Sequence, residues 1–379
     1  MAALFYPPVF SGAGYQAQGL ARALRDLGVE VDILTMSGPS DSAETWRSDS
    51  GNRVHRFSSG LKIFRSESLV FAIRAAWWLL RRDHWQLLHL HAFSYWSLPL
   101  VAVALIKKRP IIVKTTLLGV DDMDSLRKQP FGFLLACAFR RVDAVIAISR
   151  EIATIFESYS WATNKLLQIP NGVDSDLFCL SSRSERNQLR DFFGIPKDVF
   201  VILSVGAICP RKNMGNVIEA AARINGLNPL VVIAGPGEVD PNYRYGLELL
   251  ANDLANVLEV RFTGVMSQSE LSALYKVSDA YVLLSFAEGL PNSILEAMSS
   301  GLPVIASDIP GSRDIVSRET GILVSPTDIE EVTNAFSFLA VHTAVSKQMG
   351  SAARSAILDR YSILATARRY REVYESLIR

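Results

Sequence analysis

Cysteine is scarce. The 379 residues contain 3 cysteines. Cys137, Cys179 and Cys209 are far apart and form no C-x-x-C, which excludes a disulfide framework and leaves them as ordinary residues of a reducing compartment. Long apolar runs are missing as well. The longest, Leu98 to Ile106 and Phe131 to Phe139, fall far short of the roughly 20 residues that cross a bilayer. The opening Met1 to Tyr6, followed by Pro7-Pro8, is too short for a secretory leader. It reads as entry into a first strand, with a few native residues expected ahead of it. No internal repeat and no low-complexity segment is seen. Net charge is only +1, so a nucleic-acid partner is not expected.

What is present is an ordinary globular composition, 49% apolar and 20% charged. The length suggests two domains with separate cores. Charge is unevenly spread. Residues 1–170 carry 20 Lys/Arg and 14 Asp/Glu, and residues 171–379 carry 19 and 24. A basic first half suits an anionic acceptor or a membrane surface, or it simply attracts the second half.

Short apolar runs alternate with helical-period segments from end to end, the pattern of parallel βα units. Strands are expected near 2–6, 29–35, 87–91, 111–115 and 144–149. A second set is expected near 200–205, 230–234, 260–263, 280–284, 304–307 and 321–324. Gly28 caps a helix from Tyr15, and Ser267 with Glu270 forms a capping box. The pattern restarts after the polar segment Ser181 to Arg190. This gives a first domain 1–172, a second 173–358, and a helical tail 359–379. The fold class is α/β, with two doubly wound, Rossmann-like domains facing each other across a cleft, where such sheets bind ligands.

The stretch that organises the chain is 285–311, SFAEGLPNSILEAMSSGLPVIASDIPG. It holds Glu288 and Glu296 around a Gly-Leu-Pro turn. A strand runs in, and a helix starting near Pro291 or Asn292 runs out and stops before Gly301. The N–H groups of Asn292, Ser293 and Ile294 are expected to face the loop as an anion cradle. A phosphate cradle flanked by carboxylates suits a nucleotide sugar, since sugar hydroxyls need acceptors. The two acids also fit simpler roles as loop and helix caps, or as the acid and nucleophile of a glycosidase.

Two other patterns mislead. Gly12, Gly14 and Ala17 spell G-x-G-x-x-A, with Asp32 downstream. Pro7 and Pro8 part the glycines from the strand, and Asp32 lies within the next strand rather than at its end, so nicotinamide binding is not expected. Asp122-Met-Asp124 is a D-x-D by letter, and no metal is expected. Trp77-Trp78 with Arg74, Arg81 and Arg82 reads as core packing or as an amphipathic helix facing a membrane.

The second half resembles the retaining glycosyltransferases of family 4, which have the GT-B fold. The likeness runs through SVGAICPRKNMGNVIEA (204–220), VVIAGPGE (231–238), RFTGV (261–265), 278–307 and GILV (321–324). In the first half it rests on Gly12 to Gly14, KTTLLGVDD (114–122) and IPNGVD (169–174). The resemblance implies that Glu296 holds the ribose hydroxyls and Glu288 sits by the donor sugar. It places the backbone of Gly289, Leu290, Pro291 and Asn292 against sugar hydroxyls and diphosphate, with Lys212 on the diphosphate. Gly12 and Gly14 lie near the donor phosphates, and the last helix crosses back to the first domain. Many relatives have Gly-Arg where this chain has Gly206-Ala207, and Arg211 is the candidate to replace that arginine. Many also have a histidine in T-x-H-G, where Thr115 to Gly119 has none; His91 is the candidate to serve instead.

The expectation is therefore a metal-independent, hexosyltransferase-type enzyme that needs no cofactor. It moves a sugar from a UDP- or GDP-linked donor to a saccharide or lipid-linked acceptor in polysaccharide or glycolipid synthesis. It is expected in the cytoplasm, with possible peripheral contact at the inner membrane face. The alternatives are a nucleotide-sugar-binding protein without transferase activity and a nicotinamide oxidoreductase.

Overall fold

The computed structural model describes residues 1–37, 45–49, 51–58, 64–117 and 119–378. Leu118, part of the Thr115 to Gly119 segment, lies outside the described residues. The chain divides into two compact units, Met1–Gly172 with Ile363–Arg379, and Val173–Ser362.

In the first unit the strands are β1 (Ala2–Ala3), β2 (Asp32–Met36), β3 (Thr45–Asp49), β4 (Asn52–Phe57), β5 (Leu88–His91), β6 (Ile111–Thr115), β7 (Ala144–Ala147) and β8 (Leu166–Gln168). They form one sheet in the order β3-β4-β2-β1-β5-β6-β7-β8. All neighbours are parallel except β3 and β4. The helices are α1 (Gly12–Asp26), α2 (Phe64–Leu80), α3 (Ser97–Ile106), α4 (Met123–Lys128), α5 (Gly132–Phe139) and α6 (Arg150–Glu157).

The second unit has β9 (Val201–Val205), β10 (Leu230–Ala234), β11 (Glu259–Gly264), β12 (Ala280–Leu283), β13 (Val304–Ser307) and β14 (Gly321–Val324). Their order is β11-β10-β9-β12-β13-β14, all parallel. Its helices are α7 (Arg183–Phe192), α8 (Met214–Ala222), α9 (Pro241–Asp253), α10 (Gln268–Val277), α11 (Asn292–Ser299), α12 (Pro310–Arg313), α13 (Ile329–Val341) and α14 (Thr343–Arg360), and α15 (Ile363–Ile378) returns to the first unit.

Sequence explains most of this. VILSV, LVVIA, AYVL and VIAS are buried at every position, as strands covered on both faces must be. Ile202, Val231, Ile233, Val282 and Ile305 meet Val217, Ile218 and Phe336 in the second core. In the first, Ile112 and Ile146 meet Leu20 and Leu24 of α1 with Tyr370 and Tyr374 of α15. The Ser267–Glu270 capping box forms as expected, and Gly28, at φ 82°, follows α1.

Three strands, β3, β4 and β8, were not expected. In β4, Arg53, His55 and Arg56 break up the apolar run, although Val54 and Phe57 are buried. β8 is only three residues long. The tail also differs from expectation. Asp359 and Arg360 finish α14, Tyr361 ends it, and the last helix starts at Ile363.

One topological feature positions the site. In the second sheet the strand order reverses between β9 and β12. The crevice outside the carboxyl ends of two such strands is where open parallel sheets bind ligands. The loops leaving β9 and β12 carry Gly206 to Lys212 and Ser285 to Pro291.

Candidate active site

After β9 the chain passes Gly206, whose φ is 153°. A Cβ there would lie 3.0 Å from Lys212 Cε and 3.4 Å from Nζ. The bare backbone therefore leaves room for the ammonium. Gly235 adjoins it, and a Cβ at Gly235 would fall 2.0 Å from the Gly206 carbonyl oxygen. Pro210–Lys212 then forms a 3-10 turn with proline at its first position. Asn213 closes the turn in the left-handed region at φ 51°, and its Nδ2 donates to the Pro326 carbonyl at 2.7 Å. Short polar side chains tolerate that backbone.

The loop after β12 docks on this turn. The Phe286 N–H donates to the Arg211 carbonyl at 2.9 Å, and Arg211 Nη1 donates to the Ala287 carbonyl at 2.7 Å. Two cations then converge on one carboxylate oxygen. Lys212 Nζ lies 2.6 Å and Arg211 Nη1 2.8 Å from Glu288 Oε1. The Glu288 and Lys212 side chains are each 10% exposed. Burial pushes the Glu288 carboxyl up, but Lys212 and Arg211 outweigh it and hold the group below its usual range. Three of the expected catalytic side chains, Glu288, Lys212 and Arg211, thus form one compact ion cluster.

Gly289, Leu290 and Pro291 are buried and lead into α11. Gly311 lies beneath them: a Cβ there would sit 2.7 Å from the Glu288 carbonyl oxygen and 2.9 Å from that of Gly289. Helix α11 begins at Asn292 with no side-chain cap. One expectation is corrected at this end. The Ile294 N–H turns back to the Pro291 carbonyl at 3.2 Å, so it is not an open donor of the cradle.

Glu296 stands one turn into α11. Tyr275 of α10 donates to its Oε2 at 2.9 Å. Burial pushes the Glu296 carboxyl up to about 7, and the tyrosine hydrogen bond pulls the other way. The two acids of the motif therefore differ in kind. Glu288 is a paired carboxylate, whereas Glu296 changes charge near neutral pH.

The first-unit candidates are not part of this cluster. Gly14 is buried, its N–H donates to Ser11 Oγ at 3.2 Å, and a Cβ there would strike the Phe5 carbonyl oxygen at 2.5 Å. Packing and capping account for this glycine, and its N–H is already used. Gly12 is exposed at the start of α1. His91 is 1% exposed, its ring centroid 4.4 Å from that of His89. Burial, with His89 and Lys114 nearby, keeps it well below the usual imidazole range. A ring this buried and packed against His89 has no open face for an incoming acceptor, and the role expected of His91 is corrected to a core one.

The misleading patterns resolve too. Asp32 opens β2 and meets His55 at 3.3 Å and His84 at 3.2 Å, at the wrong end of a strand for a dinucleotide ribose. Asp122 caps α4 by accepting from the Ser125 N–H at 2.9 Å and also accepts from the Gly119 N–H at 2.6 Å. Asp124 accepts from the Tyr159 hydroxyl. Asp121 clasps the same loop, accepting from the Thr116 and Leu117 N–H groups at 2.8 and 2.9 Å. Thr116, Leu117 and Gly119 are thus held by the carboxylates of Asp121 and Asp122. Among the described residues no cluster of three His, Cys, Asp or Glu is placed to hold a metal. Sequence reading missed Tyr275 and Gly311. Tyr275 carries no local signal, while Gly311 follows a proline inside the organising stretch.

Comparison with known proteins follows the same division. The model of a glycosyl transferase 4-like domain matches residues 11–172, and that of the glycosyl transferases group 1 matches 185–356. The chain is 31% identical over 220 residues to a UDP-Gal:alpha-D-GlcNAc-diphosphoundecaprenol alpha-1,3-galactosyltransferase of Escherichia coli, covering 56% of this chain and 55% of that one. It is 28% identical over 338 residues to a D-inositol 3-phosphate glycosyltransferase of Geodermatophilus obscurus, covering 82% and 73%. The fold matches Anabaena HepE in complex with UDP and glucose at a TM-score of 0.78 and 20% identity, covering 99% and 98%. It matches sucrose-phosphate synthase from Thermosynechococcus elongatus at 0.82 and 21%, again covering 99% and 98%. Two matched models that leave little of either unit uncovered, on a two-domain α/β fold of the GT-B type, show that the chain belongs to the group 1 glycosyl transferases.

Proposed function

We propose that this chain is a retaining, metal-independent hexosyltransferase that moves a sugar from a UDP- or GDP-linked donor to a hydroxyl of a saccharide or lipid-linked acceptor. The observation that carries this reading is the Lys212–Arg211–Glu288 cluster beside the start of α11, with Glu296 one turn on. In the reaction the bond between the anomeric carbon and the diphosphate oxygen breaks, the acceptor oxygen bonds to that carbon from the same face and gives its proton to the departing diphosphate, and negative charge grows on the leaving group. Lys212 and Arg211 are preorganised to meet that charge, the task a metal performs elsewhere. Glu288 holds both cations in place and faces the donor sugar. Glu296 accepts the ribose hydroxyls. In support, the Escherichia coli relative is named for a UDP-galactose donor and the HepE structure contains UDP and glucose.

The test is incubation with α-configured UDP- and GDP-hexoses and a panel of sugar and polyprenyl-linked acceptors. The expected product is α-linked and forms in the presence of a chelator. A β-linked product overturns the retaining reading. Donor binding without any transfer favours the binding-protein alternative.

The acceptor side of this reading adds a membrane surface at a cytoplasmic face. Leu69, Ile73, Trp77 and Leu80 are all exposed along one stripe of α2, while Phe71, Ala75, Trp78 and Leu79 face the core. Arg81 lies over the Trp77 ring at 3.8 Å, and Arg74 borders the stripe. An apolar stripe edged with arginine suits an anionic bilayer. Among the described residues no helix is long and apolar enough to cross a membrane. The protein is expected to float with vesicles rich in phosphatidylglycerol. Carrying a charge into the interface costs the roughly 1.5–3 kcal/mol each large apolar side chain supplies there, so I73E with W77E should lower binding at least about a hundredfold. Flotation that is unchanged in this variant removes the membrane surface.

A further inference from the structure

Tyr275 is fully buried. Its ring is wedged edge-on against Phe178 at 5.6 Å and tilted against Tyr281 at 5.8 Å. Its own helix is tied down next to it, where Ser272 Oγ donates to the Leu177 carbonyl at 2.6 Å. The hydroxyl reaches two acceptors in α11, Glu296 Oε2 at 2.9 Å and the Ser293 carbonyl at 3.2 Å. A hydroxyl has one proton to give. The Ser293 carbonyl lies inside a helix, where the backbone supplies a donor, so the carboxylate is the acceptor that needs it.

Resting on the nucleotide-sugar reading above, we infer that Tyr275 is the positioning residue for Glu296: its hydroxyl pins Oε2 and turns the carboxylate toward the ribose. A carboxylate on a helix rotates about its own side chain, and one fixed oxygen sets the plane of the other. The second acceptor gives the pair two states. With Glu296 ionised, Tyr275 donates to it. With Glu296 protonated, the carboxylic acid donates to the tyrosine oxygen, whose proton turns to Ser293. Only the first state offers the ribose an ionised acceptor.

The groups facing Glu296 are few. Tyr275 from α10 and Tyr281 from β12 are both phenols kept neutral by burial. Among the described residues no Lys, Arg or His forms an ion pair with it. The hydroxyl of Tyr275 is therefore the group that opposes burial in setting its charge.

Tyr275→Phe tests this in the full chain. Isotope-labelled glutamate NMR follows the Glu296 carboxyl, identified by its loss in Glu296→Gln. Its midpoint is expected to rise by about one pH unit in Tyr275→Phe. The Kd values of UDP and GDP at pH 7 are expected to rise about tenfold. That increase should vanish in the Glu296→Gln background, because the tyrosine acts through the glutamate. A merely structural tyrosine gives additive losses and an unmoved midpoint, and either result overturns the inference. Should neither nucleotide bind the wild type, the nucleotide-sugar reading falls, while the titration still decides whether Tyr275 sets Glu296. If Tyr275→Phe folds poorly, labelled-tyrosine spectra of a Tyr281→Phe protein carry the test. One tyrosine must then report the Glu296 midpoint and lose it in Glu296→Gln; no such tyrosine overturns the inference.

Discussion

Lys212→Ala should lower kcat about 10²- to 10³-fold, the usual loss when one preorganised donor to developing charge is removed. Two effects act in the same direction. On the function proposed above the leaving diphosphate would lose an ammonium, and Glu288 loses the shorter of its two ion-pair contacts, 2.6 Å against 2.8 Å. Arg211 remains, but its side chain is 39% exposed, so water screens it more than the buried lysine. Lys212→Arg should recover only part of the rate, because the lysine stem lies against Gly206 and the flat guanidinium is wider. Steady-state kinetics with the identified donor decides this. A kcat within threefold of wild type would remove Lys212 from the machinery.

Glu296→Ala should act on the donor KM rather than on kcat. Hydrogen bonds to a charged group are worth about 1.5–3 kcal/mol each, so if Glu296 accepts two ribose hydroxyls as proposed, losing them corresponds to about a hundredfold or more. The pH dependence gives a second signature. Burial holds the Glu296 carboxyl at about 7, above its ordinary value, so the acid is protonated below that pH and ionised above it. The ionised form is the better acceptor. Donor KM in the wild type should therefore fall as pH rises through about 7, and the variant should lose that slope. A KM that stays put in Glu296→Ala, or a slope that survives it, removes the ribose role.

Much of the fold was legible because buried parallel strands write themselves as unbroken aliphatic runs. LVVIA at β10 and VIAS at β13 need no tertiary knowledge to be read. Strand β4 was not legible, since its arginines hide the alternation until Arg56 is seen bonded to the Pro7 carbonyl. At the site, Glu288 was legible from the turn it stands on, Lys212 and Arg211 entered only through the family resemblance, and the structure adds that the three meet on a single oxygen. Tyr275 was not, because 21 positions separate it from Glu296 and only the packing of α10 on α11 joins them. His91 shows the converse failure. It was named because the family's histidine is missing from Thr115 to Gly119, not on a signal of its own, and its burial against His89 makes it part of the core.

The second unit is spliced into the first, and its two ends are bound to each other. The Val173 N–H donates to the Tyr361 carbonyl at 2.8 Å, and Val173 pairs with Ser362. A module whose entry and exit are neighbours can be lifted out and replaced with little disturbance to its host. Cutting at Gly172 and Ile363 therefore marks the natural joints for exchanging the second unit between relatives, and for producing that unit by itself.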